Sequence, residues 1–204
     1  LKKKVVRNAI YEFADSVIAG DKGYQCIRDF LHRSNPRLKS RESGKSIIST
    51  EDLAGDDGLL DATKNAVIDL DDSYLSIQGP PGTGKTYITS NVVIDLMRRG
   101  KRVGITSNSH KAIHVMLSKI EAEAIRQNFD FVGIKKAAGD DPETYYQGID
   151  ENRKFIYNLD LPGDVDRIVN NGGIPDDTYG GNVISLGDGQ ILSFSDDSAI
   201  QRAR

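Results

Sequence analysis

Gly79-Pro80-Pro81-Gly82-Thr83-Gly84-Lys85-Thr86 is the stretch that decides how this chain reads. It fits G-x-x-x-x-G-K-[ST] at every position. Glycines let the backbone turn tightly, so that several N–H groups converge in one concave nest suited to phosphate oxygens. A helix starting directly after the loop adds the positive end of its dipole. The amine of Lys85 can reach β- and γ-phosphates, and the hydroxyl of Thr86 can ligate Mg2+. The pattern assigns Gly79, Pro80, Pro81, Gly82, Thr83, Gly84, Lys85 and Thr86 to a nucleoside triphosphate. Lys85 and Thr86 form the catalytic pair, and Thr86 is the metal ligand.

The flanks supply the expected context. Residues 73–78 read as a short, mostly apolar strand. Residues 84–99 read as a helix with Ile88, Val92, Val93, Leu96 and Met97 on its buried side and Gly100 as its stop. Residues 101–107 read as a second strand carrying Val103 and Ile105. Asn108 or Ser109 can cap a further helix that runs to about Gln127, and residues 129–134 suggest one more strand. Alternating strands and helices predict a parallel α/β sheet. Both the glycine-rich loop and residues 107–111 would then lie at its carboxyl edge, where such folds place ligands.

Further out the signal is helical, then weak. Val5, Val6, Ala9, Ile10, Phe13, Ala14, Val17 and Ile18 form one helical stripe, stopped by Gly20. A short helix fits residues 24–32, with Ile27, Phe30 and Leu31 as its apolar face and Asn35-Pro36 as its end. Residues 37–58 are polar and read as a loop or linker, and helical character resumes over 59–70. Past residue 138, Pro142 can open a helix toward Ile156, and residues 182–194 read as a hairpin about Gly187-Asp188-Gly189. The division expected is a helical segment and linker over 1–58, a nucleotide-binding core over 59–138, and a remainder or insertion over 139–204.

Composition narrows the classes. At 38% hydrophobic and 28% charged residues, the chain reads as globular rather than disordered. A net charge of -3 means that any nucleic-acid partner needs a local site, not a basic surface. The single cysteine, Cys26, makes no internal disulfide and fits a reducing, cytoplasmic setting. No apolar run approaches the roughly 20 residues that span a bilayer. His32 and His114 have no ligand partners at metal-site spacing. Position 1 is leucine, which suggests a piece of a longer chain.

Hydrolysis would also need a carboxylate on the magnesium shell, usually Asp-Glu after four hydrophobic strand residues. Phe155-Ile156-Tyr157-Asn158-Leu159-Asp160 comes nearest, but Asn158 interrupts it and Leu161 stands where Glu belongs. Asp140-Asp141 and Asp188 fit less well. Read as ordinary chemistry, all are surface carboxylates.

Tyr74-Leu75-Ser76-Ile77-Gln78-Gly79-Pro80-Pro81-Gly82-Thr83-Gly84-Lys85-Thr86 resembles motif I of superfamily 1 helicases, in the branch of the RNA-surveillance helicases and their DNA relatives. The run from Gly100 through Ser107-Asn108-Ser109-His110-Lys111-Ala112-Ile113 resembles motif Ia of that branch. The likeness extends to bacterial proteins in which a RecB-like nuclease precedes such a helicase, where residues 31–38, with Asn35-Pro36-Arg37-Leu38, also look familiar. It is strong over residues 72–120. It implies an α/β fold of RecA-like P-loop NTPase type, of which this chain holds part of the first domain after an N-terminal helical segment. It implies ATP and Mg2+ as cofactors and ATP-driven movement on single-stranded nucleic acid, with DNA the preferred partner and RNA left open. A nuclease domain in the same full-length chain is a further expectation. Ser107, Asn108, Ser109, His110 and Lys111 then sit where the family grips the strand backbone, and hydroxyls, an amide and a helix N-terminus suit phosphates without reading bases. Read without the resemblance, Ser109 is a helix cap and His110 and Lys111 a solvated first turn.

The departures are specific. Thr63, in Leu60-Asp61-Ala62-Thr63, stands near the place where relatives carry an adenine-reading glutamine, which leaves ATP and GTP both open. Motif II is not recognisable, and a second RecA-like domain does not fit in the remaining length. Two other readings stay open: an AAA+ or other P-loop ATPase, and a nucleotide- or strand-binding module without catalysis.

Overall fold

A computed structural model describes residues 3–40, 46–137, 141–159 and 182–185. The chain forms two compact units, Leu1–Ile88 and Thr89–Arg204.

The first unit is helical. It holds α1 (Lys3–Ala19), α2 (Gln25–Leu31), a 3-10 turn at Glu51–Leu53, α3 (Gly58–Asp69) and the start of α4 (Lys85–Arg98). The stripe of α1 forms a helix but not a buried face, since Ile10, Tyr11, Val17 and Ile18 are exposed. The expected apolar face of α2 is likewise in solvent: Ile27, Phe30 and Leu31 are exposed, and the helix buries Asp29 instead. Asp29 accepts hydrogen bonds from Gln25 and Ser73 and pairs with Arg37. Arg37 in turn donates to the carbonyls of Asp71 and Asp72 at 2.9 and 2.8 Å.

This network corrects the reading of residues 73–78 as a strand. The backbone of 69–74 is held against 34–39 instead. Lys39 N–H donates to Asp69 O, Asp71 N–H to Arg37 O, and the Tyr74 hydroxyl to Ser34 O, beside an antiparallel bridge between Leu38 and Leu70. Residues 73–80 join no strand ladder, and Ile77 is 40% exposed. A strand is stable only with a neighbour to take its backbone groups. Here Arg37 takes the carbonyls of Asp71 and Asp72, and Ser73 Oγ accepts from Arg37 N–H and donates to Asp29, which ties the start of the segment to a loop rather than to a strand.

The second unit is α/β. Its described elements, after most of α4, are β1 (Val103–Ile105), α5 (His110–Arg126), β2 (Val132–Lys136), a 3-10 turn at Pro142–Thr144, β3 (Ile156–Leu159) and β4 (Asn182–Ser185). The strands form one sheet in the order β1-β4-β2-β3, and every pairing is parallel. Val103 lies opposite Val183, Gly133 opposite both Val183 and Ile156, and Lys136 opposite Leu159. Parallel strands need long crossover connections, usually helical, and α5 makes the one between β1 and β2.

Apolar spacing explains why α5 packs. Ile113, Leu117, Ile120 and Ala124 recur on one face and are all at most 1% exposed. With Val93, Ile94 and Met97 of α4 and with Phe131, Phe155 and Ile156 they make the core. Two expectations are corrected. Pro142 opens a single 3-10 turn, not a helix: Asp141 caps its start through Glu143 N–H, but the chain is extended again at Tyr145. Residues 182–185 are not the first arm of a hairpin but a parallel strand between β1 and β2. The remainder of that expected hairpin lies outside the described residues.

Candidate functional site

Residues 79–86 form an exposed turn that ends in α4. Gly82 and Gly84 have φ of +83° and +80°, the left-handed region that side chains with a Cβ resist. At Gly79 a Cβ would come within 2.8 Å of Thr83 Oγ1. The three glycines therefore set the loop's shape. Ile88 N–H bonds to Gly84 O at 2.9 Å, so the helix opens at Lys85 and its first N–H groups lack intrahelical acceptors. Lys85 Nζ donates to Gly79 O at 2.6 Å and Pro80 O at 2.7 Å, and Thr83 Oγ1 donates to Pro80 O at 2.9 Å. The ammonium thus lies across the loop's own carbonyls. Thr86, the next residue along α4, is half-buried.

Thr63 does not present its hydroxyl to a base. It is buried within α3, and Oγ1 donates to Leu59 O at 2.7 Å. A cavity of about 500 Å³ in the same unit lies away from the glycine loop, between α3 and residues 38–52. Two of its carboxylates are already bound, Asp69 by Ser40 and Asp52 by Ser49.

Residues 107–111 belong to the second unit. They follow the carboxyl end of β1 and open α5. Ser109 takes the N-cap position with extended backbone (φ −140°, ψ 128°), and its carbonyl accepts from Ile113 N–H. Its hydroxyl makes no capping hydrogen bond. Asn108, Ser109 and Lys111 are exposed, while Ser107 and His110 are half-buried.

Behind this loop lies a polar cluster that the sequence reading missed. Lys135, in β2, is fully buried. Its Nζ lies 3.3 Å from His110 Nδ1 and donates to the carbonyls of Lys136 and Thr144. His114, one turn along α5 from His110, is held below the usual histidine range by burial and then by the Lys135 charge, despite a bond to the Thr144 backbone. Its Nε2 is buried with no partner among the described residues. Glu121, also buried, accepts from the Tyr146 hydroxyl at 2.7 Å and Ile149 N–H at 3.0 Å. Burial pushes its carboxyl up against the pull of those two bonds. Asn158 bonds both backbone groups of Tyr146. A lysine pair at a strand end reads as solvated, so no one-dimensional signal marks Lys135 as interior.

The acidic candidates separate. Asp141 caps the 3-10 turn, while Asp140, Asp160 and Asp188 lie outside the described residues. Cys26 is half-buried, and burial raises its thiol above the usual range, which fits packing rather than reactivity.

Comparison with known proteins adds one class-level finding: over 102 residues the chain is similar to a helicase. That protein is the DNA replication ATP-dependent helicase/nuclease DNA2 of Saccharomyces cerevisiae, with 31% identity over the matched residues. The match takes in 49% of this chain but only 7% of the yeast protein. No protein-family profile matches the chain, and no solved structure does. No helix among the described residues is long and apolar enough to cross a membrane.

Proposed function

We propose that this chain is the ATP-binding portion of a superfamily 1 helicase, which in the full-length protein couples ATP hydrolysis to movement on single-stranded DNA. The observation that carries the reading is the complete loop at residues 79–86. It opens α4 with two left-handed glycines and sets Lys85 over the loop carbonyls. Gly79, Pro80, Pro81, Gly82, Thr83 and Gly84 wrap the phosphates, Lys85 neutralises the terminal ones, and Thr86 takes Mg2+. The likeness to the yeast helicase/nuclease supports the helicase class over other P-loop ATPases. Residues 107–111 grip the strand, and the loop-bearing core extends over 59–138.

Thermal unfolding tests the nucleotide site. A ligand bound by the folded state alone raises Tm by mass action, by about 2.7 kcal/mol of stability at a hundredfold excess over Kd. Millimolar Mg-ATP or Mg-ADP should raise the Tm of the wild-type chain, and Lys85→Ala should lose most of that rise. An unchanged wild-type melting curve would refute the assignment.

A further inference from the structure

Three positive or titratable groups crowd beneath the start of α5. Lys135 Nζ is sealed from solvent, with two carbonyl oxygens and one ring nitrogen around it. An ammonium has three donors and no lone pair, whereas a neutral imidazole carries one donor nitrogen and one acceptor. The carbonyls of Lys136 and Thr144 both accept from Nζ, so two of its three donors are already engaged. An ammonium in that position can only donate, so the ring nitrogen it meets has to accept.

We propose that Lys135 is a positioning residue for His110. By donating to Nδ1 it fixes the ring as the Nε2–H tautomer and locks its orientation at the first turn of α5. The ring's second nitrogen then has donor polarity, which is what a phosphate oxygen requires. That consequence rests on the reading of residues 107–111 as the strand grip, whereas the tautomer itself does not. The arrangement also accounts for a fully buried lysine in a strand of only five residues. Its charge sits where two carbonyls and a histidine nitrogen replace water. His114, one turn on, meets the same Thr144 backbone and the same lysine charge, so the cluster couples β2, the 142–144 turn and α5.

Long-range proton–nitrogen NMR on the 15N-histidine-labelled 204-residue chain reads the tautomer directly. His32→Gln, His110→Gln and His114→Gln give the assignments. In the wild type, His110 should show an unprotonated Nδ1 and a protonated Nε2. In Lys135→Met, which fills the space of the stem and removes the donor, that single-tautomer pattern should give way to a mixture of tautomers. A proton on wild-type Nδ1 would overturn the proposal, since the amine would then be accepting. So would an unchanged His110 pattern in a Lys135→Met chain whose amide spectrum stays native. If that variant fails to fold, Lys135→Leu replaces it, because Nε2–H is also the commoner tautomer of a free neutral histidine and only removal of the donor tests the role of Lys135. Adding a single-stranded oligothymidylate separates the two readings. A fixed Nε2–H tautomer with no response of His110 to the oligonucleotide leaves Lys135 as the positioning residue and removes the strand contact.

Discussion

Glu121 is a carboxylate held where water does not reach, and two donors, the Tyr146 hydroxyl and Ile149 N–H, converge on one oxygen, Oε2. Burial raises its folded-state pKa above the ordinary value, with the Tyr146 and Ile149 bonds opposing that rise. The sign of the linkage follows. The folded state binds the proton more tightly than the unfolded chain, so this group's contribution to stability falls as pH rises through the window above the ordinary value. Glu121→Gln keeps an acceptor oxygen for both donors and has no charge to bury. It should equal or exceed the wild type in stability at pH 7, with the difference shrinking as pH falls toward 4. Glu121→Ala should lose about 1–3 kcal/mol at either pH, because two buried donors lose their acceptor. Urea unfolding at several pH values checks both. A gap between wild type and Glu121→Gln that ignores pH would show that the carboxylate is not strained by burial.

Among the elements, what was legible in the sequence had a period or a motif. The expected helices over 59–70, 84–99 and up to residue 127 match α3, α4 and α5 within about two residues, because apolar spacing and stop signals are local properties. The strand of 101–107 is present but shorter, and that of 129–134 is shifted to Val132–Lys136. What failed depended on partners. Residues 73–78 have the composition of a strand but join no ladder, and Ser73 bonds instead to Arg37 and Asp29, 36 and 44 residues away along the chain. The α1 stripe has the right period but little cover among the described residues: Phe13 meets the Tyr24 ring, yet Ile18 is 84% exposed. At residues 107–111, composition alone made Ser109 a cap. The structure gives it the cap position without the side-chain bond, so its hydroxyl is not spent on the helix. The Ser109→Ala, Lys111→Ala double variant should bind single-stranded oligonucleotides more weakly than wild type, equally for all base sequences. The slope of log affinity against log salt should fall by about one ion, the signature of a lost lysine–phosphate contact. Equal affinity and equal slope in a filter-binding titration would return Ser109 and Lys111 to a cap position and a solvated turn.

For the molecule as a whole, binding a nucleotide and hydrolysing it are separable. Hydrolysis needs, beyond the phosphate loop, a carboxylate on the metal shell, a group that orients water and, in many P-loop enzymes, an arginine from a second body. The described strands do not supply the carboxylate. β2 ends in Lys135 and Lys136, the first of which is buried on the Thr144 carbonyl. β3 carries Asn158, whose amide is committed to the Tyr146 backbone. Asp141 is engaged in capping. The matched region is also only 7% of the yeast helicase/nuclease, so most of what that protein uses has no counterpart in the matched residues. The expected outcome is nucleotide binding without turnover. Residues 1–204 should show the Mg-ATP thermal shift, yet release phosphate near the buffer rate. An arginine finger alone is worth roughly 10³–10⁵ in rate where it acts. Phosphate release measured with and without Mg2+, on wild type and Lys85→Ala, checks this. Robust magnesium-dependent release that Lys85→Ala abolishes would mean that the chain does contain the acidic group. Asp160, directly after β3, would then be the first to replace, since Asp160→Asn removes the charge and keeps the shape. Loss of turnover in that variant with the thermal shift intact would locate the missing carboxylate, and retained turnover would move the search to Asp140 and Asp188.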